Sequence, residues 1–407
     1  MGLNMQKTIL MLGGSRQQVV AIEKARELGY RTVVCDYLPD NPGQHHADAF
    51  YLVSTTDREA VLKVAQQENV DGVLAYASDP AAPSAAYVAE RLALPTNPLR
   101  SIEVLSEKHL FRKHLAEIGL ACPHAVTVTR DCSYAAALEE ATSLHLPLVV
   151  KPTDSSGSKG VRIIASLGEL EDSIAYARQF SRNDVIIIEE YIERVFPHVI
   201  GGDIFILDGK IEFLGLMRCL RDESSPLVPV GKMLPAGLTR VQVEKIREAI
   251  QILVTSLDVR FGEMNVEIIL GKDNTPYLLE LGARAGGNMI PIQLSDASGI
   301  DLVAANVQTA MGEWEASVTW DSSQTACPYV TYVLHAREAG RFDGVELSDS
   351  LREALYREVL YVDPGAQMQA MSGADKALGI LFFKFDDEDH MARCCRAIHN
   401  SICVRAM

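Results

Sequence analysis

The chain has 407 residues, of which 48% are hydrophobic and 23% charged, so it can bury ample core and is too long for one ordinary domain. Its 38 basic residues face 54 acidic ones, and the formal net charge of -16 disfavours partners such as nucleic acid or an anionic membrane. We expect about three domains.

Eight cysteines show no CxxC pair and no paired Cys/His spacing, which indicates reduced thiols and neither a disulfide framework nor a metal cluster. No run approaches the ~20 apolar residues of a membrane span. The apolar stretch at the N-terminus is also too short for a secretory signal. The sequence therefore predicts a cytoplasmic protein without a membrane partner.

The first part of the chain, 1–105, alternates strand and helix signals. KTILML, YRTVVCDY and DGVLAY read as strands, and helical segments separate them. Such alternation predicts an open parallel sheet, whose ligands collect at the carboxyl ends of the strands. The loops after Leu12, Cys35 and Tyr76 are therefore expected to face a site.

Two interpretations apply to the first of these loops. Gly13, Gly14 and Asp36 could belong to a dinucleotide fold, with the acid on a ribose. However, GGSRQQ lacks the G-x-G-x-x-G pattern, so no glycine stands where a phosphate must approach the backbone. The alternative is a plain tight turn.

The rest of the chain mixes strands and helices differently. We predict an α+β lobe over 106–185, a second lobe with antiparallel hairpins around DGK and KDNTP over 186–322, and a small α+β domain over 323–407. The two prolines of LALPTNPLRS mark the boundary that precedes the first lobe. The fold class is thus α/β combined with α+β.

The segment VVKPTDSSGSKGV, at 149–161, carries the first chemical signal. Lys151 ends an apolar strand and is suited to phosphate oxygens, and the following loop, 153–160, offers hydroxyls and flexible backbone N–H groups. The segment is not a Walker loop, because no GK[ST] opens a helix. An ordinary solvated turn is the alternative.

Two glutamates form the second signal. Glu267 in NVEIIL and Glu280 in YLLELGAR each lie on an apolar strand, with KDNTP between them and Arg284 just after. If the strands form a hairpin, both carboxylates can point into one cleft, where their oxygens would suit Mg²⁺ held jointly with phosphates. Each glutamate alone could instead sit on an exposed strand face.

IIIEEYI, at 186–192, is the third signal. A buried strand that runs into an acidic and then an aromatic residue can present backbone groups to an adenine edge, with apolar walls around the ring. A strand that simply ends in a polar turn is the alternative.

Taken in order, these segments resemble the ATP-grasp superfamily, and within it the branch of carbamoyl-phosphate synthase and biotin carboxylase, over about residues 5 to 320. The resemblance implies an ATP-grasp fold preceded by the N-terminal sheet domain. It adds SEKHLFRKHLAEIGLACP as a lysine-bearing helix. The nucleotide-binding residues that it implies are Lys108, Lys151, Ser155, Ser156, Gly157, Ser158, Gly160, Glu189, Glu190, Tyr191, Ile192 and His198.

The sequence departs from the family at two places. The family often writes E-x-N-x-R, with the asparagine near a second Mg²⁺, whereas this chain has Gly282. The usual acid for the ribose is not evident, so that contact could fall to Glu193, His198 or Asp203, or to none of them. His198 could equally be a packed or surface histidine.

By resemblance, the expected activity is ATP-dependent joining of a carboxylic acid to an amine through an acyl phosphate. ATP with Mg²⁺, as two ions, or with Mn²⁺ would be the cofactors, with Glu267 and Glu280 as metal ligands and Arg284 and Lys151 as catalytic residues. The acid substrate is expected near a basic and glycine-rich set, although each basic residue could be a solvated surface charge: Arg218, Arg221, Lys232, Gly286, Gly287 and Asn288.

Amino acids are the first choice of substrate, and a purine-pathway or carboxylating ligase is the competing possibility. A non-catalytic ATP-binding module is the alternative from another class, and phosphoryl transfer to an alcohol is a third. Enzymes of this size are commonly dimers, so a homodimer is expected.

Overall fold

The computed structural model describes residues 6–222, 228–314, 317–371, 373, 376–396 and 398–406. Four sheets organise this part of the chain. None of its helices combines the length and the apolar character that crossing a bilayer would require.

The N-terminal sheet is parallel, as the alternation of strands and helices predicts. Its strand order is β3-β2-β1-β4. The strands are β1 (Thr8–Leu12), β2 (Arg31–Asp36), β3 (Ala49–Leu52) and β4 (Gly72–Leu74). The helices around and after them are α1 (Arg16–Glu27), α2 (Arg58–Glu68), α3 (Ala82–Arg91), α4 (Leu99–Ser106) and α5 (Lys108–Glu117). Strand β3 escaped the sequence analysis because it is only four residues long and not fully buried.

The turn after β1 is closed by Asp36. One of its carboxylate oxygens accepts the N–H of Gly14 at 2.7 Å, and the other accepts the N–H of Leu38 at 2.8 Å. The residue is buried. Because this acid holds its own loops together, the structure favours the plain-turn interpretation over a ribose contact.

The second sheet is antiparallel with the order β5-β8-β6-β7. Its elements are β5 (Ala125–Val128), α6 (Tyr134–Ala141), β6 (Leu148–Pro152), β7 (Arg162–Ile164), α7 (Leu170–Arg178) and β8 (Ile186–Glu190). Val150 and Ile188 pack into the core beneath the two helices. Since successive strand residues face opposite sides, Lys151 and Glu189 share the other face.

The largest sheet begins with two hairpins, which confirms the pairing predicted around DGK and KDNTP. One joins β9 (Ile200–Leu207) to β10 (Lys210–Arg221), and the other joins β12 (Gly262–Leu270) to β13 (Pro276–Gly282). The neighbouring elements are β11 (Pro229–Leu234), α8 (Arg240–Ser256), α9 (Ile290–Ser298), α10 (Leu302–Ala310) and β14 (Trp320–Asp321). Helix α8 buries Ile246, Ile250 and Leu253, one face at helical spacing, against this sheet.

The last part of the chain extends the same sheet, whose full order is β13-β12-β9-β10-β11-β15-β19-β17 with β14 beside β10. A small sheet, β18-β16-β20, lies outside it. These elements are β15 (Tyr329–Leu334), β16 (Gly340–Leu347), α11 (Asp349–Ala354), β17 (Leu355–Leu360), β18 (Gln367–Met368), β19 (Gly379–Lys384), α12 (Glu388–Cys395), α13 (Ile398–Ser401) and β20 (Ile402–Ala406).

Candidate active site

The two glutamates predicted as metal ligands face each other. Glu267 on β12 and Glu280 on β13 are partners in the antiparallel register, so their side chains leave the same face of the hairpin. Both are half-buried. The sequence prediction that a hairpin would bring these carboxylates together is therefore confirmed in its geometry.

The electrostatic environments of the two acids differ. Burial raises the pKa of Glu280, and the carboxylates of Asp79 and Glu267 raise it further, against the opposing effect of Lys108. Burial would also raise the pKa of Glu267, but the charges of Arg221 and Lys232 outweigh it and leave that pKa lowered. Around Glu280, burial and the neighbouring carboxylates outweigh the positive charge of Lys108, so this carboxylate would gain from a bound cation.

The loop after β6 closes over Lys108. The Nζ of Lys108, at the start of α5, donates to the carbonyl oxygen of Ser155 at 2.6 Å. Gly157, Ser158 and Gly160 adopt φ of +67°, +60° and +74°. A left-handed backbone at three positions folds the loop back on itself, and glycine meets that demand at two of them.

Lys151 is paired inside the protein. Its Nζ donates to Glu189 Oε1, and the other carboxylate oxygen of Glu189 accepts from Nε of Arg112 at 3.0 Å. All three residues are at most 8% exposed. The side chain of Glu189, a predicted nucleotide contact, neutralises two buried cations, and Lys151 keeps two N–H donors for another acceptor.

The remaining residues of the predicted adenine hinge are partly occupied. The N–H groups of Glu190 and Tyr191 bond to the carbonyl oxygens of His124 and Pro147, both at 3.0 Å. The Glu190 carboxylate accepts from the backbone and ring of His145. The backbone N–H groups of Glu190 and Tyr191 are therefore already used within the protein.

His198 fits the packed alternative. It is half-buried, with its ring centroid 5.8 Å from that of Phe196. Burial lowers its pKa, and the charges of Arg218 and Arg194 lower it further. The neutral form of the ring is thus favoured, and the ring packs against an aromatic neighbour.

A small cavity brings the separate predictions together. It is lined by residues of α5, the 153–160 loop and β13, including Lys108, Ser155, Ser156 and Glu280. Asp79, from the loop after β4, also lines it. Of the three loops predicted to face a site, the one after Tyr76 therefore lines this cavity.

The basic residues predicted for the acid substrate divide between two faces of the sheet. Arg221 Nη2 lies 3.7 Å from Glu267 Oε1, and the charge of Lys232 helps to lower the pKa of the same carboxylate. Cys219 lies on the same face as Lys232, because its Sγ contacts the Nζ of Lys232. Arg218 is the preceding strand residue, so its side chain lies on the opposite face, where its charge acts on His198. Half of the loop DESSPLVPVG, residues 223–227, lies outside the described residues.

The segment 286–288 is anchored from two sides. Asp203 Oδ2 accepts the N–H of Gly286 at 2.9 Å, and Oε1 of Gln17 accepts the N–H of Asn288 at 2.6 Å. A Cβ at Gly286 would meet the Asp203 carboxylate at 2.6 Å. The ribose interpretation of Asp203 is wrong, because this fully buried side chain supports the 286–288 segment from within the sheet.

Sequence reasoning missed Arg112 and Asp79. Arg112 had a signal, since it lies beside Phe111 and three residues before Leu115, within the apolar stripe of α5. A charge in such a stripe indicates a buried partner. Asp79 also had one, because it follows the strand that ends near Tyr76, whose loop was predicted to face the site.

A pair of buried acids lies beneath this site. Burial raises the pKa of Glu263, and the charge of Asp203 raises it further; burial raises the pKa of Asp203 as well. Asn306 Nδ2 donates to Glu263 Oε2, whereas Oε1 has no hydrogen-bond partner among the described residues. The pair is therefore most stable when it retains a proton.

Replacing Glu263 by glutamine should raise the melting temperature at pH 8 by roughly 2–4 °C, the shift that about 1 kcal/mol gives in a domain of 150–250 residues. An acid whose pKa is raised on folding contributes stability below its unfolded pKa and loses it as the pH rises through the folded value. Glutamine keeps the acceptor for Asn306 and has no proton to lose.

Calorimetry of both proteins between pH 5 and pH 8 measures this difference. The gain should be smaller at pH 5, and the exposed Glu244→Gln on α8 should show none at either pH. An equal shift for Glu263→Gln at every pH would contradict the shared proton.

Comparison with known proteins tests the resemblance to the ATP-grasp superfamily. The family model of the carbamoyl-phosphate synthase L chain, ATP binding domain, matches residues 107–315. The carbamoyl phosphate synthase large chain of Thermotoga sp. (strain RQ2) is 28% identical over 298 residues, which cover 70% of this chain and 26% of the relative. The chain thus spans about a quarter of the length of that relative.

Solved structures share the fold over nearly the whole chain. An L-amino acid ligase from Bacillus licheniformis gives a TM-score of 0.81 at 21% identity, covering 99% of each chain. The biotin carboxylase domain of a Hydrogenobacter thermophilus 2-oxoglutarate carboxylase, solved with MgADP, gives 0.77 at 15% identity over 98% of this chain and 90% of the other. The resemblance to ATP-grasp proteins is confirmed, and the chain belongs to the family of the carbamoyl-phosphate synthase L chain ATP-binding domain.

Proposed function

We propose that this protein is an ATP-dependent ligase that joins a carboxylic acid to an amine through an acyl phosphate. The observation that carries the proposal is the pair of facing carboxylates, Glu267 and Glu280, with Arg284 two residues beyond the end of β13. A protein that only binds nucleotide has less need of a second metal carboxylate or of an arginine at this position.

The donor set suits Mg²⁺ held together with ATP. Glu280 has its pKa raised by burial and by neighbouring carboxylates, an arrangement that a divalent cation would relieve. Among the described residues, no three acidic, histidine or cysteine side chains are grouped as a metal site. Glu267 and Glu280 would therefore share the ion with phosphate oxygens and water, the usual mode for Mg²⁺.

The chain's own residues would bind and screen the phosphates. Lys108, now bonded to Ser155, and Lys151, now bonded to Glu189, would donate to phosphate oxygens. The 153–160 loop would exclude water, which matters because an exposed acyl phosphate hydrolyses. Bound Mg²⁺ supplies neutralisation of phosphate charge during transfer.

The reaction would proceed in two displacements. A carboxylate oxygen of the acid attacks the γ-phosphorus, the bond from that phosphorus to the β–γ bridging oxygen breaks, and an acyl phosphate and ADP form. The amine nitrogen then attacks the acyl carbon, phosphate departs with its C–O bonding pair, and the amine releases a proton. Arg284 would stabilise the oxyanion formed in between.

An amino acid or another small acid is the proposed acid substrate. Arg221 and Lys232 lie beside Glu267, where they could bind a substrate carboxylate next to the phosphates. The solved L-amino acid ligase shares this fold, and so do a phosphoribosylglycinamide synthetase and an N5-carboxyaminoimidazole ribonucleotide synthetase, so a purine-pathway or carboxylating ligase stays the competing proposal. ATP and Mg²⁺ are the proposed cofactors; Mn²⁺, a second ion and a homodimer stay predictions.

The test is release of ADP and phosphate from ATP and Mg²⁺ in pools of amino acids, small carboxylates and amines, with mass spectrometry of the products. We expect release that depends on one acid and one amine, and a product lighter than their sum by one water. ATP binding without release from any pool would instead favour the non-catalytic module, and ADP without free phosphate would favour phosphoryl transfer to an alcohol.

A further inference from the structure

Asp79 reaches the candidate site from the N-terminal sheet, on a short 3-10 turn that follows β4. Its two carboxylate oxygens accept hydrogen bonds from Nε and Nη2 of Arg284, both at 2.7 Å. A planar guanidinium bound by two parallel hydrogen bonds is fixed in orientation as well as in distance. The N-terminal sheet therefore sets the direction of the Arg284 side chain.

Gly282 leaves the room for this contact. A Cβ at this position would lie 3.0 Å from Asp79 Oδ1 and 3.4 Å from Cζ of Arg284. Any larger residue at this position would clash with the Asp79–Arg284 ion pair, because the 3.0 Å separation from Asp79 Oδ1 is shorter than ordinary van der Waals contact. The glycine that departs from the family pattern thus occurs where Asp79 needs space.

Arg284 retains donors after it binds Asp79. A guanidinium carries five N–H groups. Two of them go to Asp79, and one from Nη1 goes to the carbonyl oxygen of Ala285 at 3.1 Å. The other donors, on Nη1 and Nη2, lie on the edge that Asp79 does not cover and could bind an oxyanion.

Asp79 is held in its charged form. Burial would raise its pKa, but the charge and hydrogen bonds of Arg284 outweigh burial and leave the pKa lowered. Lys108 and Ser156, both beside the phosphate site, lower it further. The carboxylate is therefore ionised when it holds Arg284.

We propose that Asp79 is a positioning residue, which orients Arg284 towards the anion that forms when the amine attacks. The inference rests on the ligase function proposed above. It gives the N-terminal sheet a part in catalysis, since that sheet supplies the residue that fixes the arginine. Because Asp79 fixes the guanidinium, the remaining donors on Nη1 and Nη2 of Arg284 would meet the anion without reorganising at each turnover.

The first test is Asp79→Asn, which keeps the shape of the side chain and removes its charge. We expect kcat to fall by about 10²-fold, the cost of a small misplacement in an active site, with the KM for ATP changed less than ~3-fold. Asp79→Glu should recover part of the rate. An unchanged kcat in Asp79→Asn would overturn the proposal. So would a result in which Asp79→Asn and Asp79→Glu lower the melting temperature and the affinity for ATP to the same extent, because that would indicate a merely structural role.

Asp258→Asn provides the matched control. Asp258 binds Nε and Nη2 of Arg260 in the same two-bond geometry, at 3.1 and 2.9 Å, but this pair is exposed. Its loss should leave kcat unchanged. A second readout is the rescue of Arg284→Ala by added guanidinium. Guanidinium should restore turnover when Asp79 is present and should fail to restore it when Arg284→Ala is combined with Asp79→Asn. Equal restoration in both proteins would contradict a positioning role.

A readout that does not need turnover separates this inference from the ligase proposal. Hydrogen exchange of the Nε proton of Arg284, followed by NMR with ¹⁵N-labelled arginine, should be slow in the native protein and fast in Asp79→Asn. If no acid and amine give ADP release, the ligase proposal fails on its own. Equal exchange rates in the two proteins would then overturn the role of Asp79.

Discussion

Replacing Glu280 by glutamine is expected to lower turnover by roughly 10³-fold, while the affinity for ATP without metal changes little. Glutamine has the size of glutamate but cannot supply an anionic oxygen to a cation. The structure gives Glu280 an environment in which burial and two nearby carboxylates disfavour its charge unless a cation is present. Loss of that oxygen should therefore affect the transferring phosphate more than the bound nucleotide.

The measurement combines kcat with calorimetric titration of ATP in the presence and in the absence of Mg²⁺. Glu244→Gln, on the exposed face of α8, is the matched control and should behave as the unmodified protein. If Glu280→Gln retains turnover within ~10-fold, the facing carboxylates are not the metal ligands. If the native protein binds ATP but never turns over, the non-catalytic module gains support, because a binder has no turnover to lose.

The facing glutamates were predictable because a hairpin is a local structure. KDNTP permits a tight turn, and two apolar strands joined by such a turn readily pair with each other. The register then places Glu267 opposite Glu280. Likewise, the position of Lys151 at a strand end followed from the apolar run before it.

The partners of these residues were not predictable, because they come from distant parts of the chain. Asp79 and Arg284 are 205 residues apart, and Arg112 and Glu189 are 77 apart. A sequence pattern gives the face of a helix or strand but not which other element covers it. For this reason Glu189 was interpreted as part of a nucleotide hinge, although its carboxylate binds two buried cations.

The final strands show the same limit. The sequence pattern predicted strands within 323–407, but it could not say which sheet a strand such as β19 joins. It pairs with β15, which in turn pairs with β11, so it extends the sheet that carries the two glutamates. Pairing between strands that are this distant along the chain depends on tertiary packing rather than on local preference.

Replacing Glu189 by glutamine is expected to destabilise the protein by about 3–5 kcal/mol, the range for removing one partner of a buried ion pair. Glu189 is 3% exposed and binds both Arg112 and Lys151. The variant would leave two cations close together without their shared anion. Denaturant unfolding measures the loss, and the exposed Glu193→Gln, just beyond the same strand, should cost less than about 0.5 kcal/mol.

The same ion pair predicts a limit to stability in acid. Burial would raise the pKa of Glu189, but the charges of Arg112 and Lys151 outweigh it and lower the pKa to about 2. A lowered carboxyl pKa contributes stability above the unfolded value of 4.5 and loses it as the pH falls towards 2. The difference in unfolding free energy between the native protein and Glu189→Gln should therefore shrink between pH 4.5 and pH 2. A difference that stays constant over this window would show that the carboxylate's charge does not carry the stabilisation, and that its packing does.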